Sequence, residues 1–289
     1  MDIAALQAFV EVAARRSFSA AAEALYLTQP AVSKRIAQLE AELDARLFDR
    51  IGRKVSLTAA GTALLPRARR LINDARELKR LVDDLAGAVR GRLVMGTSHH
   101  VGLHRLPAPL KRYAETWPEV ELDIRFMDSE AACRAVETGD LELAIVTLPP
   151  DDPPNLQLDP IWHDPLAFMV GRDHPLAGRG PVELDDLLHY PAVLPGGTTY
   201  TRGILEAAVR SRPDALNIAM TTNYLETLHM LVATGLGWSL LPATLLDEQV
   251  VALRVEGTRL SRRLGAVTHR RRSLSNAGRE MILACKAGA

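Results

Sequence analysis

The chain has 289 residues, enough for two domains with separate cores. Apolar residues make up 47% and charged residues 24%, a globular composition that excludes a disordered or low-complexity chain. Lys+Arg and Asp+Glu both number 35, so the chain is not globally basic and any nucleic-acid surface must be local.

The first stretch, residues 1–16, is apolar too briefly and too periodically for a signal peptide or a membrane span, and no later apolar run approaches the length a bilayer needs. A cytoplasmic protein with no membrane partner is expected. Ile3, Leu6, Phe9, Val10 and Ala13 follow helical spacing. A break at Ser17-Phe18-Ser19 opens a second helix over 20–25, with Ser19 as its expected cap. Thr28 caps a third helix with Pro30 in its first turn, where a missing N–H costs little. Val32, Ile36, Leu39 and Leu43 form its apolar stripe. Two short helices joined by a tight turn read as a helix-turn-helix, although a small helical bundle that binds nothing would show the same spacing. The polar face of the third helix favours the former: Gln29, Ser33, Lys34, Arg35 and Gln38 can bond base edges and phosphates. Around Gly52 two β-prone stretches form a hairpin with Arg50, Arg53 and Lys54 at its tip, a basic wing.

Residues 58–89 read as one long helix capped by Thr58. Leu64, Ala68, Leu71, Ala75, Leu78, Val82 and Leu85 alternate spacings of four and three, the seam of a coiled coil. An amphipathic helix packed on its own domain could carry the same stripe. Pro66 should kink or loosen its first turns. Gly87, Arg90 and Gly91 then make a linker. Composition changes here. Residues 1–90 carry 15 basic and 11 acidic side chains and only the prolines Pro30 and Pro66; the remainder carries 20 basic and 24 acidic. A mildly basic helical head on a mildly acidic body suggests two jobs.

Beyond residue 90 short strands and helices alternate. Strands are expected at 93–96, 121–126, 143–147, 166–170, 192–194, 216–221 and 238–241. Helices are expected at 103–116, 129–138, 201–211 and 224–234. This alternation predicts an α/β body with largely parallel sheets, which bind ligands where strands end and helices begin. Thr97, Ser98, His99 and His100 lie at one such junction, and Thr147 ends another strand. Thr198, Thr199 and Thr201 open a helix, and Thr222 and Asn223 open the next. Hydroxyls and helix N–H groups suit a carboxylate, so a small organic anion is expected, a diacid or hydroxyacid if both histidines contribute. The alternative for each Ser and Thr is simple capping.

The residues Ala8-Phe9-Val10, Ser17-Phe18-Ser19-Ala20-Ala21-Ala22, Leu25, Thr28-Gln29-Pro30-Ala31-Val32-Ser33, Ile36, Leu39-Glu40, Leu47-Phe48-Asp49-Arg50 and Leu57-Thr58-Ala59-Ala60-Gly61 resemble the LysR-type transcriptional regulators. In the body, Gly96-Thr97-Ser98, Leu106-Pro107, residues 139–145, Gly235-Leu236-Gly237-Trp238 and Leu241-Pro242 stand where that family has them. His99-His100 departs from it, since many members carry small or hydroxyl residues there.

The resemblance implies a winged helix-turn-helix over 1–58, a linker and dimerisation helix over 59–90, and a two-lobed, periplasmic-binding-protein-like α/β effector domain over 91–289. Lobe I would be 91–161 with 267–289, and lobe II 162–266. It also implies homodimers or homotetramers that bind and bend promoter DNA. Thr28, Gln29, Pro30, Ala31, Ser33, Lys34, Arg35 and Arg53 are the expected DNA contacts. Thr97, Ser98, His99, His100, Thr147, Thr198, Thr199, Thr201 and Asn223 are the expected effector contacts.

Catalytic signatures are missing. The sequence has no P-loop, no GxSxG elbow and no full dinucleotide fingerprint. His99, His100 and His104 have neither a nearby Cys or carboxylate nor an HExxH or CxxC pattern, so neither a metal nor a cofactor is expected. Cys133 and Cys285 either pack in cores or pair as a redox switch. The basic run 270–272 reads as a solvated turn. The competing class is a cytoplasmic solute-binding protein or small-molecule enzyme whose helical head only oligomerises it.

Overall fold

A computed structural model describes residues 2–51, 54–85, 87–209 and 216–288. Contacts divide the chain near residue 88 into two compact units.

The first unit is helical with a hairpin. Helix α1 (Ile3–Arg15) is capped by Asp2, α2 (Phe18–Ala24) by Ser17, and α3 (Gln29–Glu42) by Thr28. The α2 cap is therefore Ser17, whose hydroxyl accepts from Ala20 N–H at 3.2 Å, and not Ser19, which lies inside the helix. Strands β1 (Phe48–Ile51) and β2 (Lys54–Leu57) form the antiparallel wing. Phe48 anchors it: its ring lies tilted 5.4 Å from Phe9 and edge-on 5.8 Å from Phe18, contacts that add about 0.5–1.5 kcal/mol each beyond area burial. The Glu40 carboxylate accepts from Leu47 N–H at 2.7 Å, tying the wing's root to α3.

Helix α4 (Ala59–Leu85) starts at Thr58, whose hydroxyl accepts from Gly61 N–H. Gly61 is required there, because a Cβ would run into the Leu47 carbonyl. The helix passes through Pro66 without ending; the ring only removes the bond to the Thr62 carbonyl. The apolar residues of α4 do two things. Ala68 and Ile72 are buried in the core of the first unit, with Leu64 and Leu65 packed against it, while Leu71 and Leu78 are exposed. Leu64 and Ala68 of the expected seam thus serve their own domain.

The second unit opens with β3 (Gly91–Thr97), α5 (His99–His104), α6 (Pro107–Thr116), β4 (Val120–Phe126), α7 (Ser129–Thr138) and β5 (Leu143–Thr147). The single helix expected at 103–116 is two helices, broken at Arg105-Leu106 because Pro107 begins a new one. Strand β6 (Leu156–Gly171) is a 16-residue strand that starts ten residues before the strand expected at 166–170. Then follow α8 (Leu184–Leu188), β7 (Ala192–Leu194), α9 (Tyr200–Ala208), β8 (Ile218–Thr221), α10 (Leu225–Ala233), β9 (Ser239–Pro242), β10 (Val250–Leu253), β11 (Leu260–His269) and α11 (Asn276–Lys286).

The main sheet runs β10-β6-β11-β5-β3-β4, with β9 also on β6. Among the described strands of the second unit, β3 with β4 and β5, and β7 with β8, pair parallel as expected, whereas β6, β9, β10 and β11 pair antiparallel. The sheet is therefore mixed. Its long antiparallel pair β6/β11 carries the chain between two lobes. On β6, Trp162 belongs to the core around Met95 and Tyr113, whereas Leu166 belongs to the core around Trp238. On β11, Leu264 and Leu260 divide the same way. Beside this crossing the register shifts at Leu264/Gly265, where a Cβ on Gly265 would meet the Asp159 carbonyl. No described helix is long and apolar enough to cross a membrane.

Candidate functional site: a cleft between lobes and a helical nucleic-acid face

The lobes enclose a cavity of about 210 Å³. Its first-lobe wall comes from the α5 start (Ser98, His99, His100), residues 126–130 and the end of β5 (Thr147). Its second-lobe wall comes from Pro195, Thr199, Thr201 and residues 223–225. Arg262 closes it at the strand crossing.

Seven of the sequence candidates meet here: Ser98, His99, His100, Thr147, Thr199, Thr201 and Asn223. Thr97 and Thr198 do not. Thr97 is fully buried and its hydroxyl donates to the Ile145 carbonyl at 2.8 Å; Thr198 is exposed outside the wall. Several of the seven already have partners. Thr199 caps α9, accepting from Arg202 N–H, and Thr201 accepts from Arg262 Nη1 at 3.0 Å. Ser98 is the helix cap whose hydroxyl makes no capping bond.

Bonds cross the cleft. Asn223 Nδ2 donates to Asp128 at 2.7 Å, and Tyr200 N–H donates to Glu130 at 2.6 Å, placing a carboxylate of the chain itself at the α9 N-terminus. The His99 ring stands edge-on to Tyr224 at 5.3 Å. The Glu226 carboxylate meets His100 Nδ1 at 3.0 Å and His104 Nε2 at 3.1 Å. Burial pushes the Glu226 carboxyl up, but the bonds from His100, from its own backbone N–H and from His104 together outweigh burial and bring the group down to about 2. Burial also pushes His100 below the ordinary imidazole value, so it stays neutral and donates from Nδ1.

The residue that spacing missed is Arg262. It is 6% exposed, and its Nε bonds Asp164 at 2.8 Å. Its Nη2 is buried with no hydrogen-bond partner among the described residues. Asp164 also accepts from Arg105 at 3.1 Å, so two guanidinium groups share one carboxylate at the base of the cleft. Burial pushes the Arg262 guanidinium below its ordinary value, against the Asp164 charge, yet a guanidinium remains cationic. Arg262 lies on β11, where the sequence pattern predicts no element, and only strand pairing brings it opposite Asp164.

In the first unit, α2 and α3 meet through a turn at Tyr26, which has φ +54° and is 97% exposed. Thr28, Gln29, Pro30 and Lys34 are exposed at the start of α3, and Ala31, Ser33 and Arg35 are half-buried beside them. Gln29 donates to Ser33 at 3.0 Å, holding that edge in order. Val32, Ile36 and Leu39 face the core, so the polar edge faces solvent. The expected contact Arg53 lies outside the described residues. Tyr26 is a second position that spacing missed, since only the turn's geometry pushes its ring outward.

A winged helix-turn-helix joined to a two-lobed α/β unit defines a DNA-binding transcriptional regulator with an effector-binding domain. Residues 3–62 match the family described as bacterial regulatory helix-turn-helix protein, lysR family, and residues 86–289 match LysR substrate binding domain. The chain belongs to the LysR family of transcriptional regulators. It is 30% identical over 285 residues to the uncharacterised HTH-type transcriptional regulator YeiE of Escherichia coli K12, covering 97% of this chain and 95% of that one. The fold superposes on full-length CbnR complexed with its target DNA at a TM-score of 0.69, with 21% identity and complete coverage of both chains. The effector-binding domain of QuiR in complex with shikimate superposes at 0.62 with 17% identity, covering 69% of this chain and 97% of that one. The curated relatives are named as transcriptional regulators, and the chain is a regulator of that family.

Proposed function

We propose that this regulator binds a small organic anion between the lobes and that occupancy changes how its paired heads hold promoter DNA. The observation that carries the reading is Arg262: a buried guanidinium with an unpartnered Nη2 in the cavity wall is a ready counter-charge for a carboxylate. Ser98 and Thr147 line the same cavity, and the shikimate held by the QuiR domain is a hydroxy acid of the class proposed. The volume of about 210 Å³ suits a small metabolite. A ligand acts only through different affinities for two arrangements of the lobes, and the cross-cleft bonds of Asn223, Tyr200 and Glu226 give it contacts to replace. Calorimetry against organic acids, amino acids and neutral polyols tests the reading: heat with acids supports it, and heat with the neutral compounds alone rejects it.

For DNA, we propose that Gln29, Pro30, Ala31, Ser33, Lys34 and Arg35 enter the major groove on α3, with Thr28 at its mouth and Arg53 on the wing. Tyr26 joins them as a backbone contact. The CbnR–DNA complex shares this fold. The division 1–58, 59–90 and 91–289 then gives a reader, a stalk and a sensor in the cytoplasm. Leu71 and Leu78 on α4 would join two chains, and two-fold symmetry would match a pseudo-palindromic operator. Bending such a site costs on the order of 1–6 kcal/mol, a range a ligand can shift.

A further inference from the structure

We propose that His100, His104 and Glu226 form a divalent-metal site of the zinc class that clamps the two lobes together. His100 and His104 stand four residues apart on α5, one helical turn, so their rings share a face at 4.5 Å between centroids. Glu226, from the first turn of α10 in the other lobe, puts one oxygen 3.0 Å from His100 Nδ1 and 3.1 Å from His104 Nε2. One ligand atom from each of the three lies within 4.8 Å of the others. A tetrahedral ion with bonds of about 2.0–2.1 Å sets its ligands roughly 3.3 Å apart; both oxygen–nitrogen distances already lie within a few tenths of an ångström of that, and rotation of the half-exposed His104 ring adjusts the spacing of the two nitrogens.

Two further details point to a ligand. Glu226 Oε2 is buried and has no hydrogen-bond partner among the described residues, so the carboxylate holds unused capacity inside the fold. On its far side, His100 Nε2 faces the Thr244 hydroxyl at 3.5 Å. A coordinating imidazole orients itself through an N–H on the nitrogen that does not bind the ion, and Thr244 is placed to accept it. Without an ion, the N–H groups point at Glu226. With one, each ring adopts the tautomer whose lone pair faces the centre, and no net proton is lost from neutral imidazoles. Neighbouring Arg262 is held by Asp164, which tempers its repulsion of a cation. Two imidazoles and one carboxylate select a borderline ion such as Zn²⁺ over Mg²⁺ or Ca²⁺, which demand oxygen shells. His104 is 34% exposed on its side chain, which leaves an approach from solvent. Because the ligands come from both lobes, the bound ion favours the closed cleft, a second input distinct from the proposed anion.

The test uses the full chain, stripped with a chelator and titrated with ZnCl₂ against a competing chromophoric chelator. The expected result is one tight ion per chain, weakened at least about tenfold in Glu226→Gln and in His104→Ala, and unchanged in His189→Ala, an exposed histidine outside the cluster. Zinc should raise the thermal midpoint of the wild type and leave that of Glu226→Gln where it was. Because His104 is partly exposed, His104→Ala keeps the test readable if the Glu226 variant folds poorly. No uptake at micromolar zinc, or equal uptake by all variants, overturns the site. Neither outcome bears on the anion, whose calorimetry is run without metal.

Discussion

Asp164 and Arg262 are directly opposed in the antiparallel β6/β11 ladder, 2.8 Å apart and both withdrawn from solvent. They lie where both strands pass from one lobe's core to the other's, so the ion pair occupies the hinge itself. Burying two charges repays its desolvation only with good geometry, and here Arg105 and Thr201 complete it. Asp164→Ala leaves two guanidinium groups without their carboxylate and should cost about 3–5 kcal/mol in denaturant unfolding of the second unit. A loss below about 1 kcal/mol would mean that the charges find water instead.

Arg262→Met should behave differently. Asp164 keeps Arg105, so stability falls less than in Asp164→Ala, but the cavity loses its counter-charge. Anion affinity should drop by about tenfold or more, as for a lost charge-assisted bond worth about 1.5–3 kcal/mol. Calorimetry with whichever acid the wild type binds checks it, and unaltered affinity would place the anion elsewhere.

Much of this was legible beforehand, and its limits have physical causes. The first unit was readable because its signals are local: Thr28 caps α3, Pro30 sits in its first turn and Val32/Ile36/Leu39 repeat at helical spacing. The cap of α2 was misplaced by two residues because Ser17 and Ser19 offer the same hydroxyl. In the body, helix starts pointed to Ser98, Thr147 and Asn223 because α/β ligand sites gather at strand ends. Arg262 and Glu226 were not readable. Their partners, Asp164 and His100, lie 98 and 126 residues away, and only long-range pairing of β11 with β6, and of α10 with α5, brings them in. The antiparallel crossing itself has no local period distinct from that of any other strand.

The two faces of α4 separate folding from assembly. Ile72 is 4% exposed in the head's core, and Ile72→Ala should cost about 2–5 kcal/mol of that unit's stability. Leu78 is 68% exposed, so Leu78→Asp should leave the head's stability within about 0.5 kcal/mol. If α4 pairs between chains, Leu78→Asp should instead shift sedimentation toward monomer. A variant that sediments as wild type does would move the chain–chain contact off this stripe.

Arg35 and Lys34 are neighbours on α3 with separable roles. Arg35, half-buried at the helix edge, should read a base; Arg35→Ala should cost roughly 1–3 kcal/mol and relax specificity at one position. Lys34, exposed, should meet phosphate; Lys34→Ala should weaken all sequences alike and lower the salt slope by about one. Fluorescence anisotropy over a salt series on operator and scrambled duplexes distinguishes them, and identical salt slopes for wild type and Lys34→Ala would remove the phosphate contact.

The cysteines separate packing from redox chemistry. Cys133 and Cys285 are buried in different cores, and burial pushes their thiols up to about 11 and about 12. The thiolate is the nucleophile, so at pH 8 only about one native thiol in a thousand or fewer is ionised, against a substantial fraction in an unfolded chain with a thiol near 8.5. Iodoacetamide should label neither residue in native protein at pH 8 and both after denaturation. The linkage has a fixed sign. A thiol whose value is raised on folding stabilises the fold fully below about 8.5, and that contribution is lost as pH rises toward 11–12. Cys133→Ala with Cys285→Ala should therefore flatten the alkaline decline in stability between about pH 8.5 and 11. Rapid native labelling, or a decline as steep as in the wild type, would show that these thiols are not held protonated by their cores.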